Sequence, residues 1–330
     1  MEKLQSSTSV YQVNAPKSPN PPPVLLVTFN RPDTTINVLE AIRLLKPTKL
    51  YVFSDGPREN NLQDDLEKIT EVRALFDSID WDCEVIKKFN TVNQGCGAGV
   101  SGAISWAFES TDRLIILEDD CLPSQSFFAF CDCLLDKYAD DDRIMHIAGT
   151  RWNEEFEIKG NKNYFFSKYG HIWGWATWKR AWDKYDFLIK DWPDFSKKRL
   201  LDEMLDHYFP LIKRWEYMFN DIYHQGKKHT WDYQWQFAIF KNEGLCITPV
   251  QNLITNIGDV GEHFNEATTA HHRARGEMVG ELAGPEYFHS ENDFDAYHGR
   301  KFFLGGRSPF KILYDKTLGK FLLRSLKLKN

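Results

Sequence analysis

A regular alternation in the first half of this chain constrains its fold more than any other feature. Short apolar runs, "VLLVTFN" from Val24, "KLYVFSDGP" from Lys49, "CEVIKKF" from Cys83 and "RLIILEDD" from Arg113, take turns with the amphipathic segments "RPDTTINVLEAIRLL", "LEKITEVRALFDSI" and "VSGAISWAFES". Runs rich in β-branched residues and separated by helices predict right-handed βαβ units and a mostly parallel sheet. The expected class is therefore α/β, a Rossmann-like sheet flanked by helices. Asp33 or Thr34 is the expected cap of the first helix. A helix over residues 126–138 and the strand "RIMHIAG" extend the pattern, which loosens beyond Thr150 into Trp-rich loops and mixed helices.

Three of the runs end on polar groups: Asn30 and Arg31, Ser54 and Asp55, and the triplet Glu118, Asp119 and Asp120. In a parallel sheet such ends meet at one edge, the edge at which open α/β sheets bind ligands. Three adjacent anions repel one another and resist desolvation unless water, hydrogen-bond donors or a cation offset them. Oxygen-only ligands select a hard cation, Mg2+ or Mn2+, which can also bridge a diphosphate. Taken alone, the triplet also reads as a solvated acidic turn before Pro123.

Composition narrows the partner. With 47 acidic against 41 basic residues and a formal charge of -6, the chain lacks the basic surface that a general nucleic-acid binder needs. Small molecules or glycans fit better. Eleven Trp and 24 Phe would suit sugar rings, and they would equally suit an aromatic core. The six cysteines form no paired C-x-x-C pattern and read as reduced thiols of a cytoplasmic protein. The opening "MEKLQSSTSVYQVNAPKSPNPPP" reads as a flexible lead without a secretory signal, and no run is long enough to span a bilayer.

Six stretches, "TFNRP", "FSDGP", "LEDDCLP", "GHIWGWATWKRAW", "TWDYQWQ" and "NLITNIG", follow one another between residues 28 and 258. In that order they resemble glycosyltransferases of the GT-A fold, and within that class the inverting N-acetylglucosaminyltransferase I type and its bacterial relatives. The resemblance implies that Arg31 and Asp55 hold the nucleotide part of a nucleotide-sugar donor, with UDP as the expected carrier. It implies that Glu118 contacts the transferred sugar, Asp119 the ribose, and Asp120 the metal, Mn2+ or Mg2+. Asp232 matches the position of the catalytic base that deprotonates the acceptor hydroxyl. Standing before "YQWQFAIF", it also suits a helix N-cap. Trp231 and Trp235 are expected as apolar walls around it, and Trp173, Trp175 and Trp178 as faces around Gly174 for sugar CH groups. Trp178 and Trp182, at helical spacing, suit the core as well. Among His263, His271 and His272, His263 is taken as the further metal or diphosphate contact.

The expected acceptor is a glycan of a cell-surface polysaccharide, or a lipid-linked glycan. A sugar-1-phosphate nucleotidyltransferase would share the sheet and the metal, but it would want a Gly-rich basic loop near its start, and "VTFNRPDTT" contains no glycine. A glycan-binding protein without catalysis would tolerate loss of Asp120 and Asp232, which are both present. The organisation expected is a lead over residues 1–23, one domain over 24–305 with a nucleotide-sugar half (24–150) and an acceptor half (151–305), and a tail over 306–330. In that tail Lys316, Lys320, Arg324 and Lys327 share one side of a helical wheel and Phe310, Tyr314, Leu318, Phe321 and Leu322 the other. Such a helix either makes peripheral contact with the inner face of an anionic membrane or docks on the domain.

Overall fold

The computed structural model describes residues 21–226, 229–258, 273–278 and 280–305. The lead up to residue 20, the tail from residue 306, and His263, His271 and His272 lie outside the described residues.

The first half follows the alternation. Strand β1 (Val24–Thr28) is followed by helix α1 (Pro32–Leu45), β2 (Lys49–Ser54), α2 (Leu62–Leu75), β3 (Glu84–Phe89), α3 (Gly95–Ala107) and β4 (Arg113–Glu118). A short strand β5 (Cys121–Pro123), helix α4 (Gln125–Lys137) and strand β6 (Ile144–Ala148) come next. The second half supplies β7 (Tyr164–Ser167), β8 (Trp175–Trp178), the helices α5 (Lys179–Trp182), α6 (Trp192–Lys197), α7 (Leu200–Met204), α8 (Phe209–Gln225) and α9 (Asp232–Lys241), strands β9 (Leu245–Pro249) and β10 (Ile254–Asn256), and helix α10 (Asn292–His298).

Eight strands join in the order β3-β2-β1-β4-β8-β6-β9-β7. The pairs β1/β2, β1/β4, β2/β3 and β6/β9 are parallel, while β8 runs antiparallel between β4 and β6 and β7 antiparallel to β9. The expected α/β class with a mostly parallel sheet is the one observed. Alternate residues of each central strand feed opposite faces, as the two-residue period requires. Val24, Leu26, Leu50, Val52, Ile115 and Leu117 pack with α1 and α4. Leu25, Val27, Tyr51, Phe53, Leu114 and Ile116 pack with α3 and α9. A third apolar cluster, around Trp192, Trp215, Phe219 and Phe237, binds the helices of the second half to one another.

Two local expectations fail for physical reasons. Helix α1 starts at Pro32 without a side-chain cap. Thr34 and Thr35 turn their hydroxyls back to the Arg31 carbonyl instead, which leaves Asp33 free of that duty. Helix α3 begins at Gly95, five residues before the expected "VSGAISWAFES", because a distant carboxylate collects the amides at its start and outweighs the poor helix propensity of "GCGAG". No helix among the described residues is long and apolar enough to cross a membrane.

Candidate active site

The edge predicted from the strand ends exists, and its centre is one arginine among three acids. Register sets Val27 of β1 beside Glu118 of β4, so the residues that follow both strands emerge together. The Phe29 amide donates to Asp119 Oδ2 at 3.0 Å. Arg31 Nη1 donates to Asp120 Oδ2 at 2.7 Å, and Arg31 Nη2 lies 2.6 Å from Asp119 Oδ1, an ion pair off the line of a hydrogen bond. Burial alone would lower the Arg31 pKa, but Asp119, Asp120 and Glu118 together hold it above its usual value.

One guanidinium does not balance three carboxylates. Burial, and then the charge of Asp120, push Glu118 up to about 8, against the pull of Arg31. Burial pushes Asp119 up to about 6, again opposed by Arg31. The cluster therefore has room for another positive charge. Its donor set, oxygen only, suits Mg2+ or Mn2+ held by one or two carboxylates together with diphosphate oxygens and water. Among the described residues no group of three or more His, Cys, Asp and Glu side chains stands at metal-binding distance.

The "NLITNIG" stretch covers this cluster. Strand β10 pairs antiparallel with β5, directly after the acids, and the Ile257 amide donates to the Asp120 carbonyl at 2.8 Å. A Cβ at Gly258 would fall 2.7 Å from Asp120 Oδ2 and 3.1 Å from Arg31 Nη1, so a side chain here would push both charged groups aside.

Asp55 sits at the same edge but faces inward. Its oxygens accept from the amides of Gly56, Gln94 and Gly95 and from Asn90 Nδ2, at 2.9 to 3.1 Å. Asp55, expected to hold the nucleotide part of a donor, thus anchors the start of α3. In doing so it holds the glycine-rich turn at the mouth of the site.

Asp232 opens α9, where Trp231 rather than Asp232 occupies the cap position and no side-chain cap bond forms. The capping alternative is thereby set aside. Asp232 is partly exposed, it accepts the Thr230 hydroxyl, and its charge is among those that raise Glu118. The structure thus brings Arg31, Glu118, Asp119, Asp120 and Asp232 into one neighbourhood.

Trp175, expected as a face for sugar CH groups, and Trp231, expected as an apolar wall beside Asp232, are 1% and 2% exposed. Trp175 lies in mid-sheet on β8, stacked between His146 (4.9 Å between ring centroids) and Trp231 (5.6 Å). Trp178, Trp182 and Trp235 are buried too. Trp173 alone of the "HIWGWATWKRAW" tryptophans named above stays partly exposed. His171 is buried, with its Nε2 3.1 Å from His298 Nε2. Tyr185 was missed: it stacks on Trp182 at 4.2 Å and donates to the Trp231 carbonyl at 3.3 Å, next to Asp232. A lone tyrosine in "WDKYDF" carries no signal of that position.

No family model and no curated protein matches the chain in sequence. Among solved structures, a mannosyltransferase from Pyrobaculum calidifontis in complex with GDP-Man and Mn2+ aligns at 12% identity and TM-score 0.36, over 52% of this chain and 49% of its own. This chain thus spans about half the length of that protein. A UDP-glucose pyrophosphorylase complexed with UDP-glucose aligns at 11% identity and TM-score 0.28, over 49% and 78%. Mouse xyloside xylosyltransferase 1, in apo form, aligns at 12% identity and TM-score 0.31, over 66% and 81%. These likenesses carry no argument about chemistry.

Proposed function

We propose that the chain is an inverting glycosyltransferase that moves a sugar from a nucleotide-diphosphate donor to a hydroxyl of a glycan acceptor. The observation that carries this reading is the partly exposed Asp232 carboxylate, free of capping duty and within electrostatic reach of Glu118 at a strand end where three acids share one arginine. That pairing supplies what inversion needs: a base on one side and a charge-compensated binding edge on the other.

In this reading Arg31 pairs with the diphosphate, Glu118 meets the transferred sugar and Asp119 the ribose, while Asp55 shapes the nucleotide end through the α3 turn. Asp120 would hold the Mg2+ or Mn2+ that, when bound, offsets the charge of the leaving diphosphate. Asp232 takes the proton from the acceptor hydroxyl, and its link to Thr230 fixes the direction of the carboxylate. The resemblance to the N-acetylglucosaminyltransferase I type favours a UDP-linked hexose or N-acetylhexosamine and an acceptor in cell-surface polysaccharide. The proposed domain is residues 24–305, with a basic tail that either docks on the domain or makes peripheral contact with an anionic membrane.

Incubation with UDP- and GDP-linked sugars and Mn2+ tests the reading. We expect release of nucleoside diphosphate from at least one donor. Pyrophosphate release from a nucleotide sugar would instead favour the nucleotidyltransferase alternative. Asp232→Asn keeps the size of the side chain but cannot take a proton, so turnover should fall by roughly two to four powers of ten with donor affinity nearly unchanged. Near-native turnover of that variant would remove Asp232 from the mechanism.

A further inference from the structure

We propose that Tyr185 is the positioning residue of the base: it braces the peptide that carries Asp232 against helix α3, and so fixes the base relative to the glycine-rich turn. This inference rests on the transferase reading and adds to it a residue that acts through Asp232.

One end of the brace is the start of α9. The Tyr185 hydroxyl donates to the Trp231 carbonyl at 3.3 Å. That carbonyl shares its planar peptide unit with the Asp232 nitrogen, so the bond holds the plane from which the Asp232 side chain hangs. The carbonyl also accepts the Trp235 amide at 3.1 Å, the first rung of α9, which leaves its second lone pair for Tyr185. On the near side, the Trp231 indole is stacked on Trp175 at 22°, and the Thr230 hydroxyl holds Asp232 Oδ1. Burial raises the Tyr185 pKa, and the charge of Asp232 raises it further, so the hydroxyl keeps its proton at neutral pH.

The other end is α3. The Tyr185 ring lies flat on Trp182, 4.2 Å between centroids at 10°, and Trp182 Nε1 donates to Ser105 Oγ at 3.0 Å. The Tyr185 hydroxyl also shares a hydrogen bond with Ser101. Ser101 and Ser105 are four residues apart and therefore neighbours on one face of the helix. Ser101 follows Gly95, whose amide Asp55 holds, by six residues, about 9 Å along a helix. A rigid helix and one stacked pair of rings thus span the distance from the glycine-rich turn to the peptide of the base. A shift of about 1 Å in a reacting group can slow a reaction a hundredfold, so a brace at this point bears on rate more than on affinity.

The test uses the full chain with Mn2+ and a nucleotide sugar from which the native protein releases nucleoside diphosphate. Tyr185→Phe keeps the ring on Trp182 and removes the hydroxyl. We expect kcat to fall about tenfold, with donor KM within about twofold and Tm within about 2 °C of the native values. Ser101→Ala alone should slow turnover about threefold, yet add less than about twofold to Tyr185→Phe, because the two hydroxyls form one brace. Rates that multiply independently overturn the inference. So does a kcat loss that comes with a large fall in Tm, which would mark a merely structural hydroxyl, or a rise in donor KM at unchanged kcat. Native turnover that Tyr185→Phe does not slow sinks the brace alone. A native protein that turns over no donor, or an Asp232→Asn variant with native turnover, sinks the transferase reading and the brace with it.

Discussion

Asp55, after β2, and Arg151, after β6, are both buried charges at the same edge of the sheet, and each ties down backbone, but with opposite sign. Asp55 gathers three backbone amides and a side-chain amide. Arg151 donates to three carbonyls, those of Trp152, Val250 and Phe156, and lies over the rings of Phe165 and Phe294. The difference follows from what each half leaves unpaired. In the parallel half a helix starts beside the strand end, and a helix start exposes N–H groups that ask for an acid. In the mixed half the strands run out into loops whose carbonyls have no ladder, so a guanidinium with five donors is the economical partner. The half proposed to bind the donor is thus organised by regular elements, and the half proposed to bind the acceptor by side chains reaching to backbone.

The comparison breaks most visibly if Arg151 is removed. Arg151→Met keeps much of the buried volume but strands three carbonyls, so unfolding free energy should drop by about 3 kcal/mol in urea titration. A loss below about 1 kcal/mol would mean that water satisfies those carbonyls and that the arginine is not the organiser of the mixed half.

Removing Asp55 should cost less, because the helix it caps keeps its packed face. Asp55→Ala is expected to lose about 2 kcal/mol and to weaken nucleoside diphosphate binding by loosening the turn from Asn93 to Gly97. Unchanged nucleotide affinity in a destabilised variant would show that the cap serves the fold alone.

The same contrast explains how much could be read beforehand. Strands β1 to β4 and β6 were legible because apolar runs of their length, separated by helical periodicity, admit few arrangements. The acids and Arg31 were legible because strand ends in a parallel sheet must meet. The start of α3 was not, since the carboxylate that stabilises "GCGAG" stands 40 positions away from Gly95. The burial of Trp175 was not legible because an indole suits a core and a sugar equally, and only the position of β8 inside the sheet decides between them.

The smallest effect concerns a third buried charge. Asp295 of α10 accepts from the Ser167 hydroxyl at 2.6 Å and the Lys168 amide at 3.0 Å, fewer bonds than Asp55 receives, and burial pushes its pKa up to about 7 against the pull of those donors. An unfolded aspartate titrates near about 3.9, so the folded state holds this proton more tightly. The stability this lends is complete below about pH 4 and is lost as pH rises toward 7. Asp295→Asn stays neutral at every pH and has no such loss. Other carboxylates titrate alike in both proteins, so the difference in Tm isolates this group. Between pH 4.5 and 8 the variant should gain a few degrees relative to the native protein. A difference that stays constant across the window would mean that Asp295 is as well met by donors as Asp55, and the contrast between a fully capped acid and a partly capped one would fail.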